Sequence, residues 1–190
     1  MRQTTLDIAA NRRASKWTRK EQFGRILWGL IHPLFVLSPR PMWGWRRALL
    51  RLFGARIGRQ VHIYPTVRIT IPWNLSIADE AGIGDRAIIY NLGPITIGAQ
   101  ATISQGAHLC AGTHDHRRAD MPLLKPPIEI GRAAWVCADA FIGPGVSVGE
   151  FAIVGARAVV MKNVDAGMIV AGNPMRVLGE RLKLERFPQR

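Results

Sequence analysis

Cysteine is scarce in this 190-residue chain: there are two, Cys110 and Cys137, and their spacing matches no metal-ligand pattern. Thiols so placed read as reduced side chains of a cytosolic protein rather than as a disulfide framework. Long apolar runs are missing as well. The longest, residues 26–37, is too short to span a bilayer and contains His32 and Pro33. It also starts too late, and lacks the small-residue cleavage site that follows a secretory leader, so no signal peptide is expected. Acidic residues are sparse where basic ones are dense: residues 1–60 hold thirteen of the 26 Lys and Arg against Asp7 and Glu21 alone. Of the net charge of +13, only +2 is left for the remainder of the chain. The basic character therefore belongs to an N-terminal arm suited to meet phosphate on lipid, nucleic acid or a cofactor. A soluble or peripheral protein is expected.

What is plentiful is glycine, 19 residues, and aliphatic side chains in a fixed rhythm. Every sixth residue from Ile130 is Val136, Ile142, Val148, Val154 and Val160, and four places after each stand Ala134, Ala140, Val146, Ala152, Ala158 and Val164. Gly131, Gly143, Gly149 and Gly155 directly follow four of the aliphatics. A period of six fits neither an amphipathic helix nor a plain alternating strand, because each unit holds a short strand and a corner. The arrangement that satisfies it is an all-β solenoid of parallel strands, its aliphatics pointing to the axis and its glycines turning the corners. The register starts at Ile57 and Ile63. It slips by two after Ile69, runs through Ile71, Ile77, Ile83 and Ile89, slips again after Ile95, and resumes at Ile97, Ile103 and Leu109. One continuous solenoid from about Ile57 to Val164 is expected. The real interruption is the polar, Pro-rich stretch 113–127, a protruding loop of the kind that carries function. After Ala166 the register fades, and a charged tail, residues 179–190, is expected to form a short helix.

Ahead of the repeats, residues 1–20 are polar, show no periodicity and are expected to be mobile. From Phe23 the positions Phe23, Ile26, Leu27, Leu30, Ile31 and Leu34 fall at helical spacing until Pro33 disturbs it. A break at 38–41 precedes a second short helix with Trp45, Ala48, Leu49 and Leu52 on one face, Arg46, Arg47 and Arg51 largely off it, and Gly54 as its stop. Two readings of this arm remain open. It caps the open end of the solenoid, or it is an interfacial anchor with Trp and Leu on one side and Arg on the other. The chain thus divides into an arm (1–54), a repeat domain (55–178) and a tail (179–190).

With GTHDH (112–116), IEIGRAAWV (128–136), VGARAVVMKNV (154–164) and AGNP (171–174) added to the repeats, residues 55–178 resemble the hexapeptide-repeat acyltransferases. The O-acetyltransferases of the galactoside, maltose and colanic-acid type exopolysaccharide branch are the most similar, and LLRLFGARIG (49–58) also looks like the last of these. The resemblance implies a left-handed parallel β-helix, a homotrimer, and acetyl-CoA in clefts between neighbouring subunits, with no metal. It places a catalytic histidine at His114, an acceptor-binding residue at Asn91, and a cofactor wall near Trp135, Ala138, Ala156, Lys162 and Arg176. Asp115 and His116 share the loop and are candidates to touch the acceptor. No acidic residue is evident to orient the histidine, since Asp115, as the next residue of an extended segment, points away.

Acyl transfer from a thioester to a hydroxyl needs a base, and histidine titrates near neutrality. The reading is an acetyl-CoA-dependent O-acetyltransferase acting on a sugar or lipid-linked oligosaccharide during surface-polysaccharide assembly. It would be cytoplasmic, with possible contact at the inner face of an anionic membrane. Two alternatives stand beside it. One is a γ-class carbonic-anhydrase-like metal site drawing on His62, His108, His114 and His116 across a trimer interface. The other is an anion-binding or nucleic-acid-binding module built on the arm, which lacks any recognised nucleic-acid fold, so no nucleic acid is expected.

Overall fold

The computed structural model describes residues 6–181. Its body is a three-faced solenoid of parallel strands, most of them two or three residues long. The first face stacks Arg56–Ile57, Leu75–Ile77, Ile95–Ile97, Ile128–Ile130 and Ser147–Val148. The second stacks His62–Ile63, Gly82–Ile83, Thr102–Ile103, Trp135–Val136, Ile153–Val154 and Met168–Ala171. The third stacks Arg68–Ile69, Ile88–Tyr90, His108–Cys110, Phe141–Ile142 and Val159–Val160. Pairing keeps the aliphatics in columns: Ile57, Ile77, Ile97, Ile130 and Val148 are in register on the first face, and Ile63, Ile83, Ile103, Val136, Val154 and Val170 on the second. All of these are buried, as are the small residues that follow them at the corners, such as Ala81, Ala101, Ala134 and Ala152. The six-residue rhythm is therefore a packing requirement: one large side chain per face and a small one per corner fill the narrow core.

The corners themselves differ from the expectation. Left-handed backbone is supplied mostly by non-glycine residues, Gln60, Glu80, Gln100, Ala133 and Phe151 at one vertex and Arg86, Asp139 and Arg157 at the next, with glycine taking that role at Gly106 and Gly145. The glycines after the aliphatics serve close approach instead. A Cβ at Gly98 would lie 2.6 Å from the Arg132 nitrogen, and one at Gly131 would lie 2.5 Å from that of Glu150. Both are closer than two stacked coils can tolerate.

The slips of register fall at the vertex between the third and first faces. There the turn Pro72–Asn74 occupies the extra residues, and parallel pairing continues past it. The far end does not fade: Met168–Ala171 extends the second face and pairs antiparallel with Arg176–Glu180, around a cis Asn173–Pro174 bond. That strand takes in residues 179 and 180, where the expected tail helix would begin, because their backbone pairs with Ile169 and Met168; the rest of the tail, from 182 onward, lies outside the described residues.

Among the described residues, three helices precede the first coil: α1 (Ile8–Arg13), α2 (Arg19–Val36) and α3 (Trp43–Leu52). Residues 8–13 are thus helical rather than irregular, and α1 is tied to the loop 113–127. The Asp7 N–H donates to the Ala119 carbonyl at 2.8 Å, and Asn11 Nδ2 donates to those of Asp120 and Met121. α2 opens with a capping box between Thr18 and Glu21 and runs through Pro33. The proline lies in the last turn with its ring exposed, and it removes one i→i−4 hydrogen bond from the helix.

A parallel solenoid leaves a row of unpaired carbonyls along its first coil, and the arm supplies donors to every face. Arg51 donates to the carbonyls of Ile57 and Gly58, Arg47 to that of Val61, Arg46 Nε to that of Ile63 at 2.6 Å, and Trp28 Nε1 to that of Ile69 at 2.9 Å. Arg46 is fully buried and spends its remaining donors on Ser38 Oγ and the carbonyls of Pro39 and Arg40. This corrects the helical-face assignment for α3, whose arginines point into the cap while Leu52 and Trp45 are left exposed.

Candidate active site

The loop leaves the third face after Cys110 and returns to the first at Ile128, so it stands on the vertex between them. It is a short hairpin, Thr113–His114 against Leu123–Leu124, and His114 is exposed on it. His114 Nδ1 lies 2.7 Å from the Met121 carbonyl. A carbonyl accepts only, so Nδ1 carries the proton in the neutral ring and Nε2 keeps its lone pair. The orienting group is therefore a backbone oxygen, which no reading of acidic residues finds. The same oxygen accepts from Asn11 of α1, so the arm braces the residue that fixes the imidazole. Met121 is held in left-handed backbone, φ 41°, where a side chain is disfavoured and neighbouring contacts must maintain it.

Asp115 is engaged elsewhere: its Oδ1 accepts from the Arg117 backbone and side chain, and these bonds hold its carboxyl below the usual range. His116 is exposed on the same loop. Asn91 requires a correction. It is fully buried, its Oδ1 accepts from the N–H groups of Thr70 and Ile71, and its Nδ2 donates to the Ile71 carbonyl. Its amide secures the widened vertex beside Pro72–Asn74 and presents nothing to an acceptor.

The residues assigned to the cofactor wall do not share one surface of a single chain. Trp135 points outward from the second face, 44% exposed, its indole N–H donating to Ser104 Oγ at 2.8 Å. Ala138 and Ala156 lie on the vertex between the second and third faces, and Arg176 is exposed on the strand that edges the second face. Lys162 sits on the vertex between the third and first faces, the one that carries His114. In a three-sided prism that vertex is opposite the second face. The core separates His114 from Trp135 within one chain.

The remaining histidines are dispersed. His62 stacks on Trp43 at 4.8 Å, while His108 lies edge-on to Phe141 at 5.2 Å with its buried Nε2 unpartnered among the described residues. Burial pushes the pKa of His108 down, as it does that of His32. Cys110 and Cys137 are free, and burial pushes both thiols up. Among the described residues of one chain, no three potential ligands gather as a metal site would require.

Three-faced coils of hexapeptide units, interrupted once by a histidine-bearing hairpin at a vertex, define a left-handed β-helix protein of the acyltransferase type. Comparison with known proteins agrees. A protein of Escherichia coli K12 named for colanic acid biosynthesis, the acetyltransferase WcaF, is 44% identical over 161 residues, 85% of this chain and 88% of its own. The galactoside O-acetyltransferase of the same organism is 26% identical over 138 residues, 71% of this chain and 68% of its own. A hexapeptide-repeat acetyltransferase of Vibrio cholerae, solved with acetyl-CoA, superposes with a TM-score of 0.80 at 23% identity, over 89% of this chain and 93% of that one. No family model matches the sequence. The chain belongs to the hexapeptide-repeat acetyltransferase family.

Proposed function

We propose that this acetyltransferase moves acetyl from acetyl-CoA to a sugar hydroxyl in surface-polysaccharide biosynthesis, with His114 as general base. The observation that carries the mechanism is the hydrogen bond from His114 Nδ1 to the Met121 carbonyl, which leaves Nε2 free to accept a proton. Nε2 takes the acceptor hydroxyl's proton as its oxygen attacks the thioester carbonyl carbon. The tetrahedral intermediate then collapses, the C–S bond breaks, and the imidazolium returns its proton to the departing thiolate. The substrate class follows from the 44% identical relative, named for colanic acid biosynthesis, and a lipid-linked oligosaccharide is the acceptor form we favour.

The same reading makes the enzyme a homotrimer. His114 and Lys162 from one chain would face Trp135, Ala138, Ala156 and Arg176 of the next, closing a site that the prism separates within a chain. These side chains fit acetyl-CoA: the pinned indole of Trp135 and the small side chains of Ala138 and Ala156 leave room for an extended pantetheine arm. Lys162 and Arg176 are exposed cations suited to its phosphates. We place the enzyme in the cytoplasm, against the membrane's inner face.

Thiol release from acetyl-CoA, measured over a panel of glycosides, tests the reading. His114→Ala is expected to lower kcat at least ~10²-fold with acetyl-CoA binding little changed, because the base acts in the transition state. His116→Ala is the control, altering mainly acceptor KM. Near-normal turnover in the His114 variant would remove the assignment. Stoichiometric bound zinc, with CO2 hydration and no thiol release, would favour the carbonic-anhydrase alternative.

A further inference from the structure

The sequence leaves open whether the apolar stripe of α2 covers the solenoid or faces outward. The structure turns it outward. The face that covers the first coil is Gly24, Trp28, Ile31 and Phe35: Trp28 and Phe35 are buried, and a Cβ at Gly24 would strike the Trp73 ring at 2.9 Å. α2 is apolar on both sides. The stripe Phe23, Ile26, Leu27, Leu30, Leu34 and Leu37 is left in the open, with Leu30 at 71% and Leu37 at 80% exposure. A helix apolar all round is ordinarily covered on every side.

Three observations identify what covers this one. No charged residue occurs between Arg25 and Arg40, so the ridge is uncharged along most of an 18-residue helix, about 27 Å long. Its ends are cationic: Arg19 and Lys20 at one, with Arg12 and Arg13 exposed on the preceding α1, and at the other the exposed Arg40, whose guanidinium lies over the Tyr64 ring at 4.5 Å and donates to its hydroxyl. The one carboxylate of α2, Glu21, is taken up by the Thr18 cap. Alongside the ridge, a groove of about 530 Å³ lined by Phe23, Leu27, Leu52 and Trp73 continues the apolar surface. Trp45 stands at the margin, its indole N–H donating to the Leu34 carbonyl at 3.0 Å.

We infer that this ridge seats the protein on an anionic lipid surface, α2 lying in the plane of the interface rather than crossing it. No described helix is long and apolar enough to span. Lipid answers both parts of the pattern, acyl chains meeting the ridge and headgroup phosphates meeting its ends. A second copy does not: ridge against ridge sets cation against cation in parallel and antiparallel pairing alike, since both ends are basic. The attraction is not the one the arginines of α3 suggested, because those are spent on the cap. This inference rests on the peripheral placement proposed above and assigns its seat to α2; it stands or falls separately from the acetyl-transfer chemistry, although a lipid-linked acceptor would gain from it.

The test is flotation of the full-length protein with vesicles of phosphatidylcholine and phosphatidylglycerol, 7:3, beside pure phosphatidylcholine. The wild type should float with the mixed vesicles and lose only part of its binding in high salt. Phe23→Asp with Leu30→Asp, both at exposed positions, should lower the bound fraction at least ~10-fold while the melting temperature is kept. Arg19→Ser with Lys20→Ser should remove mainly the salt-sensitive part. Failure of the wild type to float, or equal flotation of the Asp variant, overturns the inference. So does a larger lipid-free assembly that the Asp variant dissolves, which would make the ridge an interface between copies.

Discussion

At the residue scale, the proposed catalysis depends on one carbonyl oxygen. Met121 O accepts from His114 and from Asn11, which lies 110 residues away in the chain from Met121, so the imidazole is positioned by a backbone group that the arm holds in place. Asn11→Ala should lower kcat roughly tenfold through a misplaced imidazole, with KM for acetyl-CoA unchanged. Steady-state kinetics on a soluble glycoside separates this from general destabilisation, which would leave the kcat of the folded fraction intact. This brace was not legible in the sequence, where residues 1–20 show only polarity. Asn91 failed in the other direction: its position matched a family motif, but only the folded chain reveals that its amide is consumed by Thr70 and Ile71.

At the scale of elements, the strands were the most legible part, because each coil must present an aliphatic to the axis regardless of what surrounds it. The columns through Ile57, Ile63 and Ile69 follow from that local demand. Which face of α2 turns inward was not legible, since both are apolar and the choice is made by Trp28 reaching the Ile69 carbonyl. Nor was the role of the α3 arginines, which a helical projection assigns to solvent. Arg46→Ala should destabilise the protein by about 3 kcal/mol or more, because it leaves buried carbonyls without their charged donor. Arg46→Lys should recover little of this, as one ammonium cannot reproduce the planar guanidinium's reach to several acceptors. Denaturant melts of the two variants beside wild type decide it, and a loss under ~1 kcal/mol for Arg46→Ala would show the cap to be dispensable.

The whole molecule separates its chemistry across a prism. His114 stands on one vertex and Trp135 on the face opposite, so the proposed site needs two chains, and this division can be tested without knowing the natural acceptor. Two inactive variants are combined: His114→Ala, which lacks the base, and Ala156→Trp, whose bulky ring at an exposed corner should block the cofactor wall without disturbing the core. Each alone should be nearly silent. Refolded together in equal amounts, they should recover about a quarter of wild-type acetyl transfer, since one site in four then pairs an intact base with an intact wall. Recovery near that level supports a site shared between neighbouring chains. Mixed trimers that stay as silent as their parents would contradict it, and would place base and wall in the same subunit.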